Sequence, residues 1–203
     1  YETEKIIRIR PYIKDLSNSL KKSFLISYMS RKLNNHSNNI MFLVKNKLST
    51  NWKFIDINNY SEAQTIHLLN RSRVFLSFSD QEGLGLPPIE AALCNNLVIG
   101  YTGRGGDEYF KPPIFNKIEY GDIIKFVSKI KFTCKMIENN LNYLKDNNIY
   151  IQKNNLLSYY SSFEVEKDLA VFYNLLKLIK FPKDKIQIKF STNRILNFFY
   201  NYN

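Results

Sequence analysis

Four short apolar runs, spaced by segments of helical periodicity, constrain the fold of this 203-residue chain more than any other feature. The runs are residues 24–28, 53–57, 74–78 and 97–100, and a strand-like Pro113-Ile114-Phe115 follows them. Runs of this length, rich in branched and aromatic side chains, read as buried strands. Between them, residues 38–48 put Ile40, Leu43, Val44 and Leu48 on one helical face. A helix from Ser61 does the same with Ala63, Ile66 and Leu69, and a short helix spans 88–94. Alternation of this kind predicts an α/β fold, a Rossmann-like parallel sheet with helices on both faces. Helical patterns over 122–145 and 163–180 predict C-terminal helices, the second with Val165, Leu169, Phe172, Leu176 and Ile179 along one face. The expected organisation is a lead-in or interdomain segment, 1–22, an α/β domain, 23–180, and a basic aromatic tail, 181–203.

The chain carries 29 Lys+Arg against 18 Asp+Glu, a net charge of +11, so its partners are expected among anions. Nucleic acid, an anionic membrane surface and phosphorylated small molecules all qualify. The excess concentrates in 177–203, with six basic groups and one acid. Two cysteines, Cys94 and Cys134, exclude a disulfide scaffold and fit a reducing, cytoplasmic compartment. No run of 18 apolar residues exists, so no membrane-spanning helix is expected. His36 and His67 are isolated, and with two cysteines they make no zinc site.

Residues 77–108 have the layout of a ligand site. A buried strand leads into a turn with Gly83 and Gly85, then into a helix beginning near Pro87 and Pro88. Proline suits a first helical turn. A helix N-terminus favours an anion, and glycines let backbone approach it closely. In parallel sheets such sites lie outside the carboxyl ends of the strands. Glu82 precedes the turn, and Glu90 is expected in the first turn of the helix. Carboxylates repel phosphate but accept strong hydrogen bonds from hydroxyls. A phosphate between two hydroxyl-rich parts satisfies both demands, and a sugar nucleotide is such a ligand.

The string Glu82-Gly83-Leu84-Gly85-Leu86-Pro87-Pro88-Ile89-Glu90-Ala91-Ala92 resembles the Glu-x7-Glu motif of the donor-binding, C-terminal domain of GT-B glycosyltransferases, family 4 or group 1 type. The segments Phe75-Leu76-Ser77-Phe78, Val98-Ile99-Gly100-Tyr101, Gly105-Gly106 with Glu108, and Tyr28-Met29-Ser30-Arg31-Lys32 also fit, and the likeness covers roughly 22–176. The resemblance implies that Arg31 and Lys32 neutralise the donor diphosphate. Gly83, Leu84, Gly85 and Leu86 would contact phosphate and sugar. Glu82, the catalytic candidate, would face the transferred sugar, and Glu90 would bind the ribose. Gly105 and Gly106 would line the crevice. Three departures stand out. Leu84 replaces an aromatic residue. Asn95-Asn96 replaces a glycine turn, a geometry that Asn tolerates. Lys32 follows Arg31 directly, where the family's lysine lies several residues later.

The expected function is therefore that of the donor-binding half of a hexosyltransferase. It moves sugar from a nucleotide-sugar to an acceptor hydroxyl, with retention, in polysaccharide or glycolipid biosynthesis. A GT-B enzyme has two Rossmann-like domains, so the N-terminal acceptor domain is expected to be a missing partner, and this chain alone to transfer nothing. No Asp-x-Asp motif occurs, so neither cofactor nor obligatory metal is expected. The tail offers a peripheral contact with an anionic membrane at its inner face. The alternative is a non-catalytic basic α/β module that binds nucleotide or single-stranded nucleic acid. Against nucleic acid, the aromatic residues fall mostly at core positions and no nucleic-acid motif appears.

Overall fold

The computed structural model describes residues 8–48 and 51–178 of the chain. Five strands form one parallel sheet in the order β2-β1-β3-β4-β5. In chain order the elements are β1 (Leu25–Tyr28), α1 (Asn34–Lys45), β2 (Lys53–Asp56), α2 (Glu62–Arg71), β3 (Val74–Glu82), α3 (Leu86–Leu93), β4 (Leu97–Arg104), β5 (Phe115–Lys117), α4 (Ile123–Asn139), α5 (Asn147–Tyr159) and α6 (Ser162–Leu178). A 3-10 turn, Gly105–Glu108, joins β4 to the segment before β5. The fold is Rossmann-like α/β, as the alternation of runs predicts.

The inner strands are buried on both faces because alternate side chains feed two cores. Val74, Leu76, Phe78, Leu97, Ile99 and Tyr101 pack with Ile40 and Val44 of α1 and Phe126 and Ile130 of α4. Phe75, Val98 and Phe115 face the other way, onto Leu69 of α2, Ile89 and Leu93 of α3, and Leu156 of α5. Ile13 joins this second core, and its N–H donates to the Tyr160 carbonyl at 3.0 Å. Arg10 clasps α6 through Asp168, at 2.7 Å, and Glu164, at 2.9 Å.

Several boundaries differ from expectation. β3 runs to Glu82 and β4 to Arg104, because each pairs with the other past the end of β1, with a bulge between Ser79 and Glu82. Helix α1 begins at Asn34, four residues early. β5 starts at Phe115, since Pro112 and Pro113 have no N–H to give a ladder. The helix expected through 145 ends at Asn139, and a separate α5 follows, with the Asp146 side chain accepting from the Asn148 N–H at 2.8 Å. The 181–203 tail, the membrane contact assigned to it and Ile179 lie outside the described residues. Among the described residues no helix is long and apolar enough to cross a membrane.

Candidate functional site

The chain leaves β1 toward β2 on one side and returns to place β3 on the other, so a topological switch point lies between β1 and β3. A crevice for ligand opens there, beyond the carboxyl ends of the two strands. The loop after β1 carries Arg31 and Lys32, and the turn after β3 carries Gly83, Leu84 and Gly85.

Hydrogen bonds fix the first of these loops. Asp56, ending β2, accepts from the Ser30 N–H at 3.1 Å and from the Ser30 hydroxyl. The Asn58 side chain donates to the same hydroxyl at 2.8 Å. The Ile57 N–H donates to the Tyr28 carbonyl at 2.7 Å. The loops after β1 and β2 are thus tied together, and α2 starts close by with a capping box between Ser61 and Gln64.

The turn after β3 is held from beneath. Gly85 has φ +73, a left-handed conformation that glycine adopts at no steric cost. Its carbonyl accepts from the buried Tyr109 hydroxyl at 2.7 Å. Burial, and then the nearby Tyr160, raise the pKa of that phenol, so it stays a donor. Gly105 sits against the same turn so closely that a Cβ there would lie 1.1 Å from the Gly83 carbonyl oxygen. Gly105 and Gly106 therefore support the turn, and no described cavity has either as a wall. Leu84 packs against the second core, whereas Leu86 is exposed.

Glu90 is the fifth residue of α3 and lies beyond its first turn, which holds no acid. The expectation of a first-turn carboxylate is corrected on this point, because the helix begins at Leu86 rather than at Pro88. Four leading amides of a helix lack intrahelical partners. Here Pro87 and Pro88 remove two of them and leave those of Gly85 and Leu86.

Two cavities meet the crevice. The larger, about 470 Å3, is lined by Arg31, Asn58, Asn59, Tyr60, Thr65 and Glu90, among others. Neither the Arg31 guanidinium nor the Glu90 carboxylate has a hydrogen bond or ion pair among the described residues. Burial, and secondarily the charge of Glu62, raise the Glu90 pKa. The smaller cleft is lined by Arg31, Lys32, Ser79, Glu82 and Pro87, among others. Within it Lys32 Nζ lies 2.7 Å from Glu82 Oε1, an ion pair that joins the loop after β1 to the end of β3. The structure thus brings Arg31 and Glu90 to one cavity, and Arg31, Lys32 and Glu82 to the other.

Sequence reasoning did not single out Ser30, Asp56, Asn58 or Tyr60. A signal was available, since a switch point implicates the loop after β2 as well as those after β1 and β3. His36 lies away from these cavities, its ring 5.3 Å from that of Tyr120, and His67 is exposed on α2. Among the described residues no cluster of three metal-ligating side chains occurs.

These features define a Rossmann-like domain with an open crevice at its switch point. No family model and no curated protein matches the sequence. Solved structures do match. TarM aligns with a TM-score of 0.66 at 17% identity, over 86% of this chain and 39% of its own length. A GtfA/B complex gives 0.55 at 14% identity, over 80% and 38%. The pneumococcal O-GlcNAc transferase GtfA in complex with UDP and GlcNAc gives 0.52 at 13%, over 83% and 38%. At these identities the likeness establishes the fold, and the chain spans about two-fifths of the length of each neighbour.

Proposed function

We propose that this chain is the donor-binding half of a glycosyltransferase that moves a sugar from a nucleotide-sugar to an acceptor hydroxyl. The observation that carries the reading is that a guanidinium, Arg31, and a carboxylate, Glu90, neither with a partner among the described residues, line one cavity at the switch point. A cation beside a carboxylate suits a ligand that carries both phosphate and hydroxyls. The Glu-x7-Glu resemblance adds to it, as does a structural neighbour in complex with UDP and GlcNAc.

In this reading Glu90 accepts from the ribose hydroxyls, and Arg31 meets the diphosphate. The bond from the anomeric carbon to the diphosphate oxygen breaks, and one to the acceptor oxygen forms as the acceptor hydroxyl passes its proton to the departing diphosphate. Negative charge grows on the departing diphosphate, where Arg31 and the amides of Gly85 and Leu86 stabilise it. Lys32 holds the Glu82 carboxylate at the edge of the cleft, facing the transferred sugar. Retention at the anomeric carbon, a role in polysaccharide or glycolipid synthesis, and an acceptor domain supplied beyond these residues complete the proposal.

Calorimetric titration with UDP, GDP, ADP and dTDP, without metal, tests it. The expected result is saturable binding of one nucleotide, weakened at least tenfold by Arg31→Ala and by Glu90→Ala. Binding that neither change weakens contradicts the assignment.

A further inference from the structure

A third cavity, of about 460 Å3, opens at the same end of the sheet on the β4–β5 side, and the donor site does not use it. Its size falls in the range of roughly 300–1,000 Å3 usual for ligand sites. The walls come from the extensions of β3 and β4, from the 3-10 turn, and from the segment after β5. Ser79 lines both this cavity and the cleft that holds Glu82, so the two spaces adjoin.

The chemistry of its walls is distinct from that of the donor crevice. Asp80, Gln81 and Arg104 line it, and none of their side chains has a hydrogen bond or ion pair among the described residues. Asp107 and Glu119 also line it, and both engage Lys117, at 2.8 and 3.6 Å. Three carboxylates against two cations, one of them already paired, make a poor site for phosphate. They make a good one for hydroxyls, which donate to carboxylates and accept from guanidinium and amide. Tyr120 adds a flat apolar surface. Its ring lies 5.3 Å from that of His36 and 5.2 Å from that of Tyr101, yet it remains 60% exposed. An aromatic face held in place this way packs against the C–H face of a pyranose. Arg104 itself sits at φ 69, ψ −55, a tight-turn conformation rare outside glycine. Strained positions of this kind cluster at ligand sites.

We propose that this cavity binds a neutral, polyhydroxylated sugar unit, which under the transferase reading above is part of the acceptor. Binding needs the Asp80 carboxylate, the Arg104 guanidinium and the Tyr120 ring together.

Saturation-transfer NMR on the 203-residue chain tests the proposal, with glucose, galactose, N-acetylglucosamine and maltose as probes. Each probe is measured with and without saturating UDP, and UDP binding is followed separately by calorimetry. The expected result is transfer to at least one sugar, unaffected by UDP and reduced at least fivefold by Asp80→Ala and by Tyr120→Ala. Both residues are exposed, so the fold should survive. Arg104→Gly, which relieves the strained turn, should lose the sugar signal while keeping the fold. Three results each overturn the proposal: no transfer to any sugar, transfer unchanged by these substitutions, or displacement of the sugar by UDP. UDP binding without sugar binding removes the second site and leaves the donor reading standing. Sugar binding without nucleotide binding does the reverse.

Discussion

Lys22 makes the stability of this domain dependent on pH in a way that can be worked out. Its ammonium is tucked in at the end of the sheet opposite the ligand crevice, where it donates to the carbonyls of Leu69, Ser72 and Cys94. Those carbonyls lie at or next to the C-termini of α2 and α3, where a cation is favoured. Burial nevertheless lowers the lysine pKa from 10.5 to about 7, with the neighbouring Cys94 acting in the other direction. At this lysine the unfolded chain therefore binds more protons than the folded one between about pH 7 and 10.5, and the contribution of Lys22 to stability rises with pH through that window. Burial raises the Cys94 thiol from 9.0 to about 12 and raises the Cys134 thiol as well, so above about pH 9 the folded state keeps two thiol protons that the unfolded chain loses, against the one it lacks at Lys22, and the trend reverses. From pH 7.0 to 8.5 the lysine contributes a gain of about 1.5 kcal/mol. In a chain of this size that is a Tm increase of about 3–6 °C. Urea midpoints at the two pH values, for the wild type and for Lys22→Met, measure it. Methionine keeps the length of the side chain but takes the amine donor from all three carbonyls, of which those of Leu69 and Cys94 keep the Asn96 amide, so the variant should be less stable and flat across the window. A flat or falling wild-type profile, or an equal rise in Lys22→Met, refutes the reasoning.

Two further outcomes follow from the site. Gly105→Ala places a methyl group 1.1 Å from the Gly83 carbonyl oxygen, so the turn must move. Nucleotide affinity should fall at least tenfold together with Tm, whereas Gly83→Ala, with nothing within 4 Å of the added carbon, should leave Tm where it is. Because burial raises the Glu90 pKa, nucleotide binding should begin to weaken at a pH above the ordinary carboxylate range as the solution is acidified. Calorimetry across pH 4–8 should show that loss in the wild type, and Glu90→Gln should be weak throughout.

The central strands and the glycine turn were legible because their signals are local. Val74 to Phe78 and Leu97 to Gly100 are apolar enough to be strands buried on both faces, and Gly83 and Gly85 mark the turn between β3 and α3. Asn95 has φ 61, so it makes the left-handed turn expected of it in place of glycine. What escaped depends on partners distant in sequence. Ser79, Asp80, Gln81 and Glu82 have no apolar pattern, and they are a strand because β4 lies alongside. Only Leu156 of α5 is buried, too weak a periodicity to mark a helix between two polar loops. The ion pair of Lys32 with Glu82 joins a loop to a strand end 50 residues away, and Asp56 reaches Ser30 across 26. The guanidinium of Arg31 and the carboxylate of Glu90 become meaningful only when the fold places them around one cavity.

The most direct test of the donor-site account is amide shift mapping on the isotope-labelled chain during titration with the nucleoside diphosphate that binds best. The account predicts changes confined to the loops after β1, β2 and β3, at residues 29–32, 57–60 and 83–90, with α1 and α4 silent. Shifts spread over the lysines of α4, or absent from those three loops, would contradict it.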